Sequence, residues 1–405
     1  MVDKEQKQYR LTCLQVHNDY LIPGGETKTA QRIADLLESY GIKVIRYYKS
    51  NESLQSTGVI AKVKNGLKSL FNHTTIKEVN KIIEKEKIDF ALIHNVMPII
   101  SNSVYQVLLD NGIPIIKYIQ NYNLICLNGA LDHGKECEKC KKTCWNGVKN
   151  GCYKNSKLYS LVKFLVKKQL DDKYLRHIAA FMPNSEFVKN KHHEFGVNVD
   201  RMYVMYNFID LEEIDSDEDN YSSYYLYFGR ISQEKGVFTT VDAFKDLPDL
   251  KLIIMGNGEC EEQLKKYIED VPNIDYIGGK YRTELTNVIK KAKCVIVPSE
   301  WDEPLPRTIL EAYACGVPVI GAERGGIPEM IEENITGYTF KAGNKYALME
   351  TVRKLNNLSN AKYKNMQCNC VNNTIKFYLK KSYMLRFMSC LSDIGIKQSV
   401  EYQGR

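Results

Sequence analysis

The chain has 405 residues, and its 44% hydrophobic and 26% charged content is typical of a folded protein rather than a disordered one. One hydrophobic core rarely supports this length, so we predict two domains of roughly 200 residues. No stretch approaches the ~18 apolar residues of a membrane-spanning helix, and the start, MVDKEQKQYR, lacks the apolar core of a signal peptide. We therefore expect a cytoplasmic protein.

Positive charge is concentrated in the first half of the chain. The formal net charge is +7, of which residues 1–205 carry +11 and the remainder −4. This asymmetry indicates that the first half meets an anionic partner such as a membrane surface, a lipid-linked diphosphate or nucleic acid. A solvated lysine-rich face explains the same charge equally well.

Short apolar segments alternate with amphipathic ones, and the rhythm occurs twice. It runs through RLTCLQVH, KVIRYY, DFALIH, PIIKYIQ and AAFMPN, and restarts after the acidic stretch IDSDEDNYSS with YYLYFGR, LKLIIMG, NIDYIG, KCVIVPS and VPVIGA. Such alternation predicts an α/β protein of two doubly wound domains facing across a cleft. We place the domains at 1–209 and 210–375, with a C-terminal helix and tail at 376–405 that packs back on the first domain.

Ligands of such sheets bind at the carboxyl ends of the strands, where helix N-termini present N–H groups. In the first domain a glycine loop, Gly24 and Gly25, falls between the first strand and first helix, where it can approach a phosphate or a hydroxyl. Glu26 follows and either faces an acceptor or only favours the helix dipole.

The second domain carries two motifs rich in charge. In YFGRISQEKG an apolar strand is followed by Arg230 and Lys235, which together suit a diphosphate, although surface cations at a strand end look the same. In PSEWDEPLPRTILEAYACGVPVI, Glu303 falls on a proline-interrupted loop and Glu311 in the next helix. Carboxylates accept from sugar and ribose hydroxyls, but acids near a helix N-terminus need no ligand.

Six motifs occur along the second half in a fixed order: GR…K, GNG at 256–258, E-x7-E, ACGVPVI, GGIPE and TGYTF. This set resembles the retaining glycosyltransferases of family 4, which have the GT-B fold. The resemblance implies that Arg230 and Lys235 hold the donor diphosphate, with Gly256 also on the donor side. It implies that Glu311 holds the ribose and Glu303 the transferred sugar. Pro306 stands where the family commonly has Gly, so we expect Arg307 and Thr308 to supply its phosphate contacts.

On the acceptor side the same resemblance places His94 and Asn95 at a strand terminus near the cleft. Gln120 stands where relatives commonly carry His, and an amide can hydrogen-bond but cannot carry a proton. Glu26, His94, Asn95 and Gln120 are therefore our acceptor-side residues, with no acid or base role at Gln120.

Five of the twelve cysteines lie between residues 126 and 152. A CxxC pair can present two thiolates to one tetrahedral zinc ion, and a similar cysteine-rich segment occurs in the subgroup that builds bacterial surface polysaccharides. We predict a structural zinc site formed by Cys126, Cys137, Cys140 and Cys152, with Cys144 as a competing ligand. Metal-free reduced thiols and redox or disulfide roles are the alternatives.

The resemblance implies a transferase that moves a sugar from a nucleotide-sugar donor, most simply a UDP-sugar, to a glycan or lipid-linked acceptor of a cell-surface polysaccharide. No catalytic divalent metal is expected, since the two cations occupy its place, and peripheral contact with the inner membrane face fits the basic first half. The alternatives are an epimerase or phosphorylase of the same architecture, a binding-only relative, and a zinc-ribbon nucleic-acid binder. The last lacks a basic strip interleaved with aromatic residues, so we expect no nucleic-acid partner.

Overall fold

The computed structural model describes residues 11–19, 25–50, 68–131, 137–214, 224–280 and 283–396. Gly24 and residues 215–223 of the acidic stretch IDSDEDNYSS lie outside these residues. Within the described ranges, no helix combines the length and apolar character needed to cross a membrane.

The first domain is built on a five-stranded parallel sheet of order β2-β1-β3-β4-β5. Its strands are β1 (Leu11–Asp19), β2 (Ile42–Ser50), β3 (Phe90–Ile93), β4 (Ile115–Ile119) and β5 (Ala180–Pro183). Its helices are α1 (Gly25–Ser39), α2 (His73–Lys85), α3 (Ser103–Asp110), α4 (Trp145–Lys149), α5 (Lys157–Lys173) and α6 (Glu186–Glu194). β3 and β4 are buried along their whole length, as parallel strands covered by helices on both faces must be.

The second domain repeats this architecture with a six-stranded parallel sheet of order β11-β10-β9-β6-β7-β8. The strands are β6 (Tyr224–Phe228), β7 (Lys251–Met255), β8 (Ile274–Tyr276), β9 (Ala292–Val297), β10 (Val319–Ala322) and β11 (Gly337–Phe340). The helices are α7 (Val237–Lys245), α8 (Glu261–Tyr267), α9 (Thr283–Lys290), α10 (Arg307–Ala314), α11 (Lys345–Asn356) and α12 (Asn360–Phe377). The strand order reverses beside β6, where the charged motifs lie.

A last helix, α13 (Lys380–Asp393), packs against the first sheet rather than the second. Its buried face contributes Tyr383 and Phe387 to the core that contains Leu36 and Phe90 of the first domain. The preceding helix α12 remains with the second domain, where it packs against α10. The C-terminal helices therefore connect the two domains.

Within the described ranges, hydrogen bonds also join the domains across the cleft. The Tyr122 hydroxyl donates to the Asp302 carbonyl at 2.7 Å. The Glu329 carboxylate accepts from the backbone N–H groups of Glu186 and Phe187, at 2.9 and 3.1 Å, in the first turn of α6. A carboxylate at a helix N-terminus is stabilised by the helix dipole, so this contact fixes one edge of the cleft.

Candidate active site

The predicted cations follow directly on the carboxyl end of β6. Arg230 is 55% exposed and pairs with Glu234 at 2.9 Å. Lys235 lies in a short 3-10 turn that ends at Gly236, whose φ is +71°. A Cβ at Gly236 would lie 1.9 Å from the Pro298 carbonyl oxygen, so only glycine permits the turn that aims Lys235 into the cleft.

Lys235 is held by Glu303, which lies 68 positions later in the chain. Its Nζ donates to Oε1 and Oε2 of Glu303 at 2.6 and 2.7 Å, and the Ser299 hydroxyl donates to the same carboxylate at 2.7 Å. Burial alone would raise the pKa of Glu303, but the Lys235 ammonium, the Ser299 hydroxyl and the Arg230 guanidinium together lower it. The site therefore contains a fixed carboxylate beside two cations.

The loop that carries Glu303 is shaped by the Gly325–Gly326 pair. A Cβ at Gly325, where φ is +58°, would lie 2.1 Å from the Glu303 carbonyl oxygen, and one at Gly326 would lie 2.3 Å from that of Pro304. The Gly326 N–H also donates to the Glu303 carbonyl at 2.7 Å. The pair is therefore packed against the backbone of the Glu303 loop.

Glu311 lies on α10, whose N-cap is Pro306. Arg307 Nε is 3.6 Å from the Glu311 carboxylate, and burial raises the pKa of Glu311 although Arg307 opposes this. Arg307 and Thr308 occupy the first turn of α10, where N–H groups have no partner within the helix. Since Pro306 has no N–H, the backbone donors of this turn belong to the residues after it.

Gly256 follows β7 and lies against the end of β6 rather than in open space. Its φ is +144°, and a Cβ would lie 1.8 Å from the Gly229 carbonyl oxygen. Its own carbonyl accepts from the Tyr276 hydroxyl at 2.7 Å. Gly256 thus lets two strand ends meet beside Arg230.

In the first domain, Gly25 begins α1, and a Cβ there would meet no atom within 4 Å. Glu26 follows it, and Asn121, just after β4, donates to Glu26 Oε2 at 3.1 Å. Glu26, Asn121, Lys117 and Lys163 line one cavity of about 60 Å³ that opens to solvent. The first turn of α1 and the segment after β4 therefore meet at this cavity.

Sequence reasoning missed both of these lysines. Lys117 interrupts the apolar run of β4, and Lys163 falls on the buried face of α5 together with Ser160, Val166 and Leu170. A charged residue at a core position is the signal that could have identified each one.

His94 and Asn95 lie just beyond β3, as predicted, but their side chains are engaged within the domain. His94 is buried, its Nε2 is 2.9 Å from Gln15 Nε2, and burial lowers its pKa well below the usual value. Asn95 donates to the Asn18 and Met97 carbonyls at 3.1 and 2.9 Å. His94 is thus a neutral group that borders the cavity, and Asn95 orders the loop.

Two side chains near the cleft carry buried N–H groups for which the described residues provide no hydrogen-bond acceptor. These are Gln120 Nε2 and Trp301 Nε1. The Trp301 ring packs against the first domain's core and lies 5.3 Å from Lys235 Nζ. Buried donors without acceptors are costly, so both are candidates to bind a ligand oxygen.

The predicted zinc ligands lie near one another but are not arranged as a metal site. Cys126, Cys137, Cys140 and Cys152 line one small cavity, yet in the described parts of the chain no group of three or more Cys, His, Asp or Glu side chains could hold a metal ion. The Cys126 thiol donates to Asn128 Oδ1 at 2.8 Å, and Cys140 is hydrogen-bonded to Cys144 instead. The thiols therefore have local partners, and the residues do not fit zinc as predicted.

Residues 210–376 match the family described as Glycosyl transferases group 1. The match is confined to the second half of the chain. The matched region holds Arg230, Lys235, Glu303 and Glu311; it begins 14 residues before β6 and ends one residue before the end of α12. All four motif residues thus belong to the matched part of the chain.

Two curated relatives match stretches of the chain. Lipopolysaccharide 1,2-N-acetylglucosaminetransferase of Salmonella typhimurium is 36% identical over 127 residues, covering 28% of this chain and 33% of that protein. The amylovoran biosynthesis glycosyltransferase AmsK of Erwinia amylovora is 31% identical over 142 residues, covering 32% and 35%. The matches thus span about a third of the length of these relatives.

The solved structure of Anabaena HepE in complex with UDP is similar over both domains. Its TM-score is 0.66 at 15% identity, with 95% of this chain and all of that chain covered. At this identity the likeness concerns the fold, and the predicted GT-B fold is confirmed.

Proposed function

We propose that this protein is a retaining glycosyltransferase that moves a sugar from a nucleotide-sugar donor to a glycan or lipid-linked acceptor in cell-surface polysaccharide synthesis. The observation that carries the proposal is the Lys235–Glu303 pair beside Arg230 at the carboxyl end of β6. It lies within a group 1 domain, and it combines cations for a diphosphate with a carboxylate for sugar hydroxyls.

The donor is most simply a UDP-sugar, which is supported by the UDP found in the similarly folded Anabaena HepE. The diphosphate lies between Arg230 and Lys235 and the first turn of α10, where N–H groups favour an anion. Glu311, one turn into that helix, accepts from the ribose hydroxyls. Burial raises the pKa of Glu311, and Arg307 lies beside it. Its carboxyl group can form hydrogen bonds in either protonation state.

The chemistry is substitution at the anomeric carbon of the donor sugar. The bond from that carbon to the diphosphate oxygen breaks, an acceptor hydroxyl oxygen bonds to the same face, and the hydroxyl proton passes to the departing diphosphate. Negative charge grows on the departing diphosphate, so fixed cations lower the barrier without reorganising. Glu303 keeps Lys235 in place and accepts from the sugar hydroxyls, while the Gln120 and Trp301 N–H groups are free to donate to sugar oxygens.

The acceptor side is the basic first domain, and we propose that it touches the inner face of the membrane. On α5 the apolar side chains of Leu158 and Leu165 are 66% and 41% exposed, and Lys157 and Lys168 lie on the same helix. An apolar surface flanked by lysines suits an anionic lipid surface. The names of the two relatives, which act in lipopolysaccharide and amylovoran synthesis, support a polysaccharide acceptor.

The test is release of nucleoside diphosphate from a panel of UDP-, GDP- and ADP-sugars, with and without a lipid extract that contains membrane-bound acceptors. We expect acceptor-dependent release from one UDP-sugar and a product whose anomeric proton, read by NMR, keeps the donor configuration. An inverted product would contradict the retaining mechanism. Nucleotide binding without release from any donor would favour a binding-only protein.

A further inference from the structure

The cavity at the first-domain side of the cleft contains more positive charge than its surroundings neutralise. Lys117 and Lys163 are each about 9% exposed, and burial lowers the pKa of both to about 8. The Glu26 carboxylate raises the pKa of both lysines, and Lys163 lowers that of Lys117. Lys117, Lys163 and Glu26 therefore lie close enough for the charge of one to change the pKa of another.

In the described part of the chain, the other titratable groups around the cavity add no negative charge. Lys167 is matched by Asp171 at 2.6 Å. His94 is neutral because burial lowers its pKa, and Cys126 stays a thiol because burial raises its pKa. Among the described residues, two ammonium groups therefore face one carboxylate, leaving about one uncompensated positive charge near pH 7. A buried charge of this kind is costly unless a partner arrives.

The polar wall of the cavity can complete such a partner's hydrogen bonds. Asn121 and Asn123 line it together with the two lysines, and Val166 and Leu170 are among its apolar lining residues. A single bound water needs roughly 10–15 Å³, so a cavity of about 60 Å³ that opens to solvent has room for a phosphate group.

The cavity also lies next to the donor site. Asn121 and Asn123 line it, and Tyr122 between them donates to the carbonyl of Asp302, the residue before Glu303. A group bound here would be attached to a molecule whose hydroxyl reaches the cleft beside Glu303.

From this charge, size and position we infer that Lys117, Lys163 and Glu26 form a subsite for a phosphate or diphosphate group of the acceptor. This inference rests on the proposed function, because only a transferase has an acceptor to anchor. The lysines are positioned for the group that anchors the acceptor, rather than for the diphosphate that leaves the donor. Glu26 limits the affinity so that the product can dissociate.

The test is a titration of the purified protein with inorganic phosphate at constant ionic strength, followed by thermal unfolding, because a ligand of the native state raises the Tm. We expect phosphate to raise the Tm saturably, and Lys163→Met to weaken the midpoint about ten-fold or more. Lys168→Met, on the exposed face of the same helix, should keep the wild-type midpoint. An unchanged midpoint in Lys163→Met would overturn the subsite.

Glu26→Gln gives a prediction of opposite sign that does not depend on loss of folding. Removing the one carboxylate should tighten phosphate binding several-fold, and weaker binding would contradict the assignment. Tighter binding of glucose 1-phosphate would indicate a phosphorylated glycan acceptor, and tighter binding of geranyl diphosphate a lipid-linked one. If glucuronate binds as tightly as either compound, the phosphate assignment is overturned. Stabilisation by UDP that depends on Glu311 and not on Lys163 tests the proposed function separately.

Discussion

Lys235 Nζ lies 2.6 and 2.7 Å from the two carboxylate oxygens of Glu303. The two side chains hold each other at the carboxyl end of β6. Substituting either residue therefore disturbs both a cation and an anion of the site. The pair therefore ties the conformation of the Glu303 loop to the groups that we assign to the donor.

Replacing Lys235 with Met should reduce turnover by about 100-fold or more, because the departing diphosphate loses a fixed positive charge. It also leaves the Glu303 carboxylate without its ammonium partner, at a cost of about 1–3 kcal/mol in the free energy of unfolding. Nucleoside diphosphate release and urea unfolding measure the two effects. Lys265→Met is the matched control, since Lys265 pairs with Glu262 at 2.8 Å on the exposed surface of α8. Turnover close to wild type in Lys235→Met would remove Lys235 from the mechanism.

Gly325→Ala should shift the Glu303 loop, because the new Cβ would lie 2.1 Å from the Glu303 carbonyl oxygen in a left-handed backbone conformation. Gly278 provides the control, since its φ is +70° but no atom lies within 4 Å of its Cβ position. We expect Gly278→Ala to cost about 1–2 kcal/mol from backbone strain alone. Gly325→Ala should cost about 2 kcal/mol more and lower turnover as well. Equal losses of stability and activity in the two variants would mean that the contact with Glu303 is unimportant.

Lys163→Met should stabilise the ligand-free protein by about 1–3 kcal/mol at pH 7, because an apolar side chain replaces a buried ammonium group. The pKa of Lys163 falls from 10.5 to about 8 through burial, although Glu26 and Cys126 oppose this. Between those two values the unfolded chain binds more protons, so wild-type stability rises with pH and the gain from Lys163→Met shrinks. Urea unfolding at pH 7 and pH 10 measures the difference. A gain that grows with pH would show that Lys163 is not buried as an ammonium ion.

Cys144 should react with iodoacetamide faster than Cys140 at pH 7. The Cys140 thiol hydrogen-bonds to Cys144, which lowers the pKa of Cys144 and raises that of Cys140, and the thiolate is the reactive form. Peptide mapping after short exposure measures both rates. Cys140→Ala removes the donor and should slow the labelling of Cys144, whereas faster labelling of Cys140 than of Cys144 would contradict the assigned hydrogen bond.

The sequence rhythm predicted both parallel sheets, because apolar strands and amphipathic helices leave a local pattern that each segment carries by itself. The structure gives the positions of four charged residues, whereas their roles remain predictions: Arg230, Lys235, Glu303 and Glu311. Their partners could not be predicted, since the Lys235–Glu303 contact joins residues 68 positions apart. The packing role of Gly325 could not be predicted for the same reason, because the backbone that it approaches is distant in sequence.

The cysteine cluster illustrates a second limit. A CxxC spacing predicts that two thiols lie close together, but it does not show which other groups compete for them. In the structure Asn128 engages Cys126 and Cys144 engages Cys140. Lys117 and Lys163 were missed because a single charged residue in an apolar segment does not show which residues surround it in the folded protein.

Thermal unfolding with UDP, GDP and ADP tests the central claim most directly, since it requires no knowledge of the acceptor. We expect UDP to raise the Tm, Glu311→Ala to abolish that rise, and Glu350→Ala, at an exposed position of α11, to leave it intact. This result would support a nucleotide-sugar site on the second domain. No rise with any of the three nucleotides, or a rise with UDP that persists in Glu311→Ala, would contradict it.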